Sequence, residues 1–197
     1  ADEVRAGKPL RLVFGGRFVP MKGVLQLPEV ARHLRQFGVP FELSIYGAGP
    51  EEGKLRAAIS RYALEDQVSI CPPIDFEEGW VPFLKQAADL FVCCHMQGDP
   101  SSTYTEVMAC GVPVAGYDNE AFKGVAELSG SGFLAPMGEP KALAHVIADL
   151  HKDRNRLVKA AQIGRSFSIE HCFENTFARR VEHFRERSRH QGASVWV

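Results

Sequence analysis

The sequence has no long hydrophobic run, almost no net charge and no apolar stretch in its first ten residues. No apolar stretch approaches the ~18 residues that a membrane-spanning helix needs, and the first ten residues, ADEVRAGKPL, are polar. The 23 Lys and Arg residues nearly balance the 24 Asp and Glu residues, which gives a formal net charge of −1. This balance does not mark the whole molecule as a nucleic-acid binder. We therefore expect a cytoplasmic protein, at most peripheral to a membrane, without a nucleic-acid partner.

Cysteine is scarce and irregularly spaced. The five cysteines are Cys71, Cys93, Cys94, Cys110 and Cys172. An odd number without regular spacing is typical of free, reduced thiols and not of a disulfide framework. Cys93, Cys94 and His95 suggest a zinc site, but adjacent strand residues point to opposite faces and cannot easily share one tetrahedral ion. We expect no bound metal at these residues.

Short apolar runs alternate with longer amphipathic segments over most of the chain. The predicted strands are Arg11–Gly15, Phe41–Tyr46, Val68–Cys71, Leu90–Cys94, Pro113–Gly116 and Gly132–Ala135. Most are continuously apolar, as expected for parallel strands that are buried on both faces. Helix-period segments separate them, so the chain is predicted to be an α/β protein with a doubly wound, Rossmann-like parallel sheet of about six strands. Ligands bind such sheets beyond the carboxyl ends of the strands.

The last third of the sequence is predicted to be helical. One apolar stripe lies within residues 142–150, and a second runs from Ile169 to about Arg187. Arginines at positions 179, 180, 185, 187 and 189 form a basic run near the end of the chain; a solvated helix face is the default interpretation, and contact with a membrane surface is the weaker one. We divide the chain into a linker remnant over 1–9, one domain over 10–187 and a flexible tail over 188–197.

The glycine-rich segment SIYGAGPEEG, residues 44–53, follows a predicted strand and resembles a dinucleotide-binding loop. Its glycines are spaced G-x-G-x-x-x-G, one residue longer than that fingerprint. The next strand does not end in an acidic residue that could hold a ribose. This turn is therefore interpreted as a sharp reversal from strand to helix and not as an NAD site.

The loop after the first strand, GGRFVPMKG, combines two glycines with two cations. Gly15 and Gly16 allow a tight turn and a close approach to a ligand. Arg17 can hold two phosphate oxygens at once, and Lys22, which is predicted to open the next helix, supplies a movable charge. A phosphate or diphosphate site is one interpretation, and a solvated pair of surface cations is the other.

The loop after the fourth strand carries hydroxyls and an acid. Ser101, Ser102 or Thr103 can cap a helix, whose free amides and dipole would attract an anion. Glu106, one turn further on, either favours the dipole or accepts hydrogen bonds from ligand hydroxyls. Together the two loops fit a nucleoside diphosphate attached to a sugar.

Four motifs in this order, GGRFVPMKG, YGAGP, AADLFVCC and TEVMACGVPV, resemble the nucleotide-sugar-binding half of the retaining GT-B glycosyltransferases of family four, the group 1 glycosyl transferases. The resemblance runs from about Leu10 to about Leu150. It implies that Arg17 and Lys22 contact the donor diphosphate and are the catalytic cations, and that Glu106 is the second acid of the E-x7-E motif, which holds the donor ribose.

The remaining donor contacts follow from the same resemblance. Gly16 and the hydroxyl residues at 101–103 would line the donor site, and the base pocket would lie near Ile70, Cys71 and Pro72. The first acid of E-x7-E, which contacts the donor sugar in the family, falls on Gly98. The adjacent Asp99 is a candidate to replace it.

The resemblance covers only the second of two similar domains, so the chain is expected to be part of a longer protein and inactive without its N-terminal acceptor-binding domain. The implied activity is that of a hexosyltransferase that moves a sugar from a nucleoside diphosphate to an acceptor hydroxyl with retention. No D-x-D triplet occurs, so no divalent metal or other cofactor is expected. The alternatives are a sugar-nucleotide epimerase of GT-B fold and a degenerate domain that binds a nucleotide or partner without turnover.

Overall fold

The computed structural model describes residues 8–98 and 101–191, with side chains to residue 188. Six strands form one parallel sheet: β1 (Leu10–Gly15), β2 (Phe41–Tyr46), β3 (Val68–Cys71), β4 (Leu90–Cys93), β5 (Val114–Tyr117) and β6 (Gly132–Ala135). Their order is β3-β2-β1-β4-β5-β6, and every neighbouring pair is parallel. The predicted doubly wound α/β sheet is confirmed, with each strand within one residue of its predicted bounds.

The sheet is the centre of the hydrophobic core. All four residues of β4 and all four of β5 are buried, because helices cover both faces of the sheet. β1 pairs with β4 through Leu12 opposite Leu90 and Val13 opposite Phe91. Burying side chains of this size contributes about 1.5–3 kcal/mol each, so the centre of the sheet is the rigid base for the loops beyond it.

Eight α-helices are described: α1 (Leu27–Gln36), α2 (Glu52–Arg61), α3 (Val81–Ala87), α4 (Thr103–Ala109), α5 (Glu120–Ser129), α6 (Pro140–Lys152), α7 (Asn155–Glu170) and α8 (Phe173–Gln191). Two 3₁₀ turns, Pro20–Lys22 and Val24–Gln26, precede α1, and a π turn, Phe76–Trp80, precedes α3. α1 packs against α2 and α6, whereas α7 packs against α4 and α5. α5 was not among the predicted helices, whereas α7 lies in the last third, which was predicted to be helical, although no apolar stripe was assigned to it.

The C-terminal stripe is divided between two helices. α7 ends at Glu170 and α8 begins at Phe173, so Ile169 belongs to α7 and the predicted single stripe from Ile169 to Arg187 is wrong in this respect. On α8 the apolar side chains are exposed, by 72% at Phe173 and 69% at Phe184. None of the helices in the described part of the chain is both long and apolar enough to cross a membrane.

The ends of the chain are described only in part. Residues 1–7 of the predicted linker and residues 192–197 of the predicted tail lie outside the described residues. Lys8 precedes β1, and the Arg154 guanidinium donates a hydrogen bond to its carbonyl. α8 continues to Gln191, so residues 188–191, predicted as part of a flexible tail, extend this helix.

Candidate functional site

The candidate site lies where the strand order reverses. β1 is followed by α1 and then by β2 on one side of it, whereas β4, on its other side, is followed by α4 and β5. In a sheet of this topology, the crevice for a ligand lies between the loops that leave two such strands, at the carboxyl edge of the sheet. These are the two loops on which the sequence places Arg17, Lys22 and Glu106.

The glycine turn after β2 holds the β1 loop in position. The amides of Gly16 and Phe18 donate to the carbonyls of Tyr46 and Ala48 at 3.0 and 2.9 Å. A β-carbon built on Gly47 would lie 2.0 Å from the Gly16 carbonyl oxygen, and one built on Gly49 would lie 2.5 Å from that of Phe18. This turn thus reverses the direction of the chain, and its backbone also packs closely against the β1 loop.

Lys22 is held beside the end of β4. It ends the 3₁₀ turn Pro20–Lys22 and does not open α1, as the sequence had predicted. The Met96 amide donates to the Met21 carbonyl at 2.9 Å. A β-carbon on Gly23, whose φ is +62°, would lie 1.8 Å from the Cys94 carbonyl oxygen. Only glycine permits this approach, which brings Lys22 from the β1 loop to the β4 loop.

The Arg17 side chain is exposed and forms no hydrogen bond or ion pair with residues 8–98 or 101–191. Lys22 is half-buried, and its side chain forms no hydrogen bond or ion pair within the same residues, although its charge acts on Cys93 and His95. Two cations without a carboxylate partner therefore belong to one short loop. An anion in the crevice would meet little competition for them.

His95 lies next to Lys22 in a buried polar cluster. Its side chain is 3% exposed, and Nδ1 shares a 2.9 Å hydrogen bond with the Tyr104 hydroxyl. Burial, and secondarily the charge of Lys22, lower the pKa of His95 to about 4. The imidazole is therefore neutral near pH 7, and His95 makes a structural hydrogen bond. Its partner Tyr104 is missed by sequence reasoning, because an inward-facing hydroxyl on α4 has no sequence signature.

The start of α4 differs from its predicted form. Ser102 has helical backbone angles and its side chain makes no capping hydrogen bond, so the predicted hydroxyl cap is wrong there. Instead, the Ser102 carbonyl accepts from Glu106 N at 2.9 Å and from Thr105 Oγ1 at 3.0 Å. The amides that precede Glu106 have no acceptor within the helix. Glu106 is half-buried, in the first turn of the helix.

The predicted base pocket lies at the end of β3, two strands from β1. Ile70 packs against the core, whereas Pro72 is exposed. Burial, together with the neighbouring Cys71 to which it is hydrogen-bonded, raises the pKa of Tyr46. The side chains of Ile70 and Cys71 are thus partly engaged within the protein.

Trp80 covers the end of β1. A β-carbon built on Gly15 would lie 2.5 Å from its indole ring. The ring centroids of Tyr46 lie 5.6 Å from Trp80 and 4.8 Å from Phe83. Trp80 and Phe83 therefore pack with Tyr46 in an aromatic cluster beside the end of β1.

The start of α5 also reaches this edge. Asn119 caps the helix by accepting from the Phe122 amide at 2.9 Å, and its Nδ2 donates to the His95 carbonyl at 3.3 Å. Asn119 is buried, so α5 is fixed against the β4 loop. This contact was not predicted, although an Asn three residues after the end of a predicted strand is a helix-start signal.

Several expected features lie outside this geometry. Asp99 lies outside the described residues. Within the described part of the chain, no three His, Cys, Asp or Glu side chains are close enough to hold a metal. All five cysteines are unpaired, as predicted. A cavity of about 670 Å³, lined by residues that include Lys85, Val112 and Leu157, lies near the start of β1, away from this edge of the sheet.

Comparison with known proteins places this geometry in a family. The sequence model of the family "Glycosyl transferases group 1" matches residues 1–167. The amylovoran biosynthesis glycosyltransferase AmsK of Erwinia amylovora is 31% identical over 166 residues, which cover 81% of this chain and 40% of AmsK. The chain spans between 37% and 43% of the length of the curated relatives it matches.

Two solved structures share the fold. Anabaena HepE in complex with UDP and glucose has a TM-score of 0.76 and 20% identity, over 92% of this chain and 49% of HepE. The C-terminal domain of the group 1 family protein LpcC from Francisella tularensis has a TM-score of 0.68 and 18% identity, over 81% of this chain and 85% of that domain. With its six-stranded parallel sheet and a family match over most of its length, the chain belongs to the group 1 glycosyl transferases and has the fold of a C-terminal GT-B domain.

Proposed function

We propose that this chain is the donor-binding half of a retaining glycosyltransferase of family four. It would bind a nucleoside diphosphate sugar, and the whole protein would transfer a hexose to an acceptor hydroxyl. The observation that carries the proposal is the position of Lys22 against the end of β4. In this position, a cation from one loop adjoins the crevice between both loops.

The chemistry of the site suits a diphosphate leaving group. When the bond from the sugar to the diphosphate breaks, negative charge develops on the phosphate oxygens. Arg17 can bind two of these oxygens in a fork, and Lys22 adds a point charge. Preorganised charges of this kind are usually the largest catalytic contribution, and the loss of one donor costs about 10²–10³ in rate. We propose that these two cations neutralise the diphosphate without a divalent metal.

The rest of the donor is assigned along the same edge. Glu106 would accept hydrogen bonds from the ribose hydroxyls. Gly16 and the segment 101–103 would line the diphosphate, and the base would lie against the strand end formed by Ile70, Cys71 and Pro72. The order of these groups follows the order of the strands β4, β1, β2 and β3.

The acceptor site would belong to a separate N-terminal domain. The curated relatives are more than twice as long as the matched segment, whereas the LpcC C-terminal domain has nearly the same extent. The 197-residue chain would therefore bind the donor but transfer nothing by itself. The exposed apolar residues of α8 fit a helix that packs against that domain in the longer protein.

Calorimetric titration of UDP and GDP into the chain tests the proposal. We expect Lys22→Ala and Arg17→Ala each to weaken binding of the preferred nucleotide by about tenfold or more, since a charge-assisted hydrogen bond contributes about 1.5–3 kcal/mol. Lys85→Ala, away from the candidate site, is the matched control and should leave affinity unchanged. Equal affinity in Lys22→Ala and the unmodified chain would remove Lys22 from the phosphate site, and no binding of either nucleotide would overturn the proposal.

Gly98, at the position of the family's first acid, favours a second candidate, a domain that binds a nucleotide without turnover. The full-length parent protein distinguishes the two. Consumption of a nucleotide sugar that is lost in Glu106→Ala would support the transferase, whereas nucleotide binding without consumption would support the second candidate.

A further inference from the structure

Gly98 and Glu120 occupy one small region at the carboxyl edge of the sheet. A β-carbon built on Gly98 would lie 3.1 Å from the β-carbon of Glu120 and 3.6 Å from its Oε2. Gly98 belongs to the loop after β4, and Glu120 is the first residue of α5, after β5. A carboxylate is therefore present beside the position where the E-x7-E spacing has no acid.

Glu120 is positioned by the helix that carries it. Its neighbour Asn119 is buried, caps α5 and donates to the His95 carbonyl, so the helix start is fixed to the β4 loop. The Glu120 side chain is exposed and forms no ion pair or hydrogen bond within the described ranges 8–98 and 101–191. Its oxygens are free to accept hydrogen bonds from a ligand.

Other described acids near this position are engaged or remote. Asp118 Oδ1 accepts from the Met137 amide at 2.8 Å, which turns it towards the loop after β6. Glu127, near the end of α5, has the Lys123 ammonium at 4.0 Å. The negative charge of Glu120 also stabilises the positive N-terminus of its helix. This role alone would not require glycine at position 98.

We propose that Glu120 replaces the missing first acid and contacts the sugar of the donor, accepting hydrogen bonds from its hydroxyls. The inference rests on the proposed function and names the residue that recognises the sugar. A side chain at position 98 would press on Glu120, because a 3.1 Å contact of a β-carbon is closer than normal packing. Glycine at 98 and glutamate at 120 are therefore complementary: one provides the space that the other's carboxylate uses.

The test compares nucleotide sugars with the corresponding nucleotides in the 197-residue chain. UDP-glucose, UDP-galactose, UDP-N-acetylglucosamine and GDP-mannose are titrated alongside UDP and GDP. We expect Glu120→Gln to weaken the best-bound nucleotide sugar about tenfold, since a charged acceptor is replaced by a neutral one. Affinity for the nucleoside diphosphate alone should stay within about twofold. Glu127→Gln, on the same helix, is the control and should change neither affinity.

A swap of the two positions gives an independent readout. Glu120→Gly should lose the same sugar-dependent affinity, and adding Gly98→Glu should restore most of it, because the carboxylate returns to the same region from the other loop.

The outcomes separate the two proposals. Failure of the unmodified chain to bind UDP or GDP would overturn the proposed function. Nucleotide binding with no nucleotide sugar sensitive to Glu120→Gln would leave that function standing and overturn the role of Glu120. A folded double variant that binds no better than Glu120→Gly would overturn it as well.

Discussion

The imidazole Nδ1 of His95 and the hydroxyl of Tyr104 lie 2.9 Å apart, and both side chains are buried. The hydrogen bond joins the end of β4 to the first turn of α4, the two segments between which the described chain is interrupted at residues 99 and 100. Because Lys22 adds its charge to the effect of burial, His95 stays neutral down to a pKa of about 4. This arrangement makes the stability of the site dependent on pH.

We expect the free energy of unfolding to fall as pH decreases from about 6.5 to about 4. In this window the unfolded chain binds a proton at His95, with the ordinary pKa of 6.5, and the folded chain does not. The difference in pKa corresponds to about 3 kcal/mol at the acid end. Urea titrations between pH 4 and pH 7.5 measure it.

His95→Gln is the comparison for this prediction. Burial also lowers the pKa of His33 and His151, but their contributions remain in the variant. His95→Gln should therefore be less stable at pH 7 and lose less stability on acidification. Equal pH dependence of the two proteins would contradict the assigned state of His95.

Two glycines should respond to alanine in opposite directions. In Gly47→Ala the new β-carbon would meet the Gly16 carbonyl oxygen at 2.0 Å, at a φ of +149°, so we expect a loss of at least about 2 kcal/mol. Gly53 lies in α2 with no atom within 4 Å of its β-carbon position, so Gly53→Ala should gain about 0.5–1 kcal/mol. Urea midpoints measure both, and a tolerated Gly47→Ala would show that the β1 loop is not held as described.

Glu106 should determine how the site distinguishes ribose from deoxyribose. We expect the unmodified chain to bind its preferred nucleoside diphosphate about tenfold more tightly than the 2′-deoxy form, because the carboxylate accepts a hydrogen bond from the 2′-hydroxyl. In Glu106→Gln this preference should largely disappear, while Glu127→Gln should retain it. Calorimetry of both nucleotides decides the point, and a preference that survives in Glu106→Gln would move the ribose elsewhere.

The sheet was predictable from the sequence because its strands are short apolar runs of nearly the observed lengths. α5 was not predicted, and no apolar stripe was assigned to α7. α5 contains Gly124 and α7 contains Gly164, and glycine weakens a helical pattern. Gly164 is nevertheless required, since a β-carbon there would lie 2.6 Å from the Ser131 hydroxyl. In these two segments, tertiary contacts thus determine the helical structure more strongly than local helix propensity does.

The two loops of the candidate site follow from the predicted ends of β1 and β4. The contacts between these loops could not be predicted. The position of Lys22 follows from the backbone contacts of Met21 and Gly23 with the β4 loop, which no local pattern encodes. The missing cap at Ser102 follows from its helical backbone angles, which the hydroxyl pattern does not encode. The contact between Gly98 and Glu120 depends on β4 and β5 being neighbours in the sheet. The sequence alone therefore showed that the first acid of E-x7-E is missing, but not that Glu120 lies beside this position.

The pairing of β1 with β4 at the centre of the sheet also has a consequence for biosynthesis. The segment with Lys22 leaves the ribosome long before the segment with His95, and neither can form the crevice alone. Contacts so distant in the chain form late and slowly. A nucleotide would therefore find no binding site on the nascent N-terminal half and would stabilise only chains whose sheet has closed, so ligand supplied during refolding should raise the yield of native protein without capturing earlier intermediates.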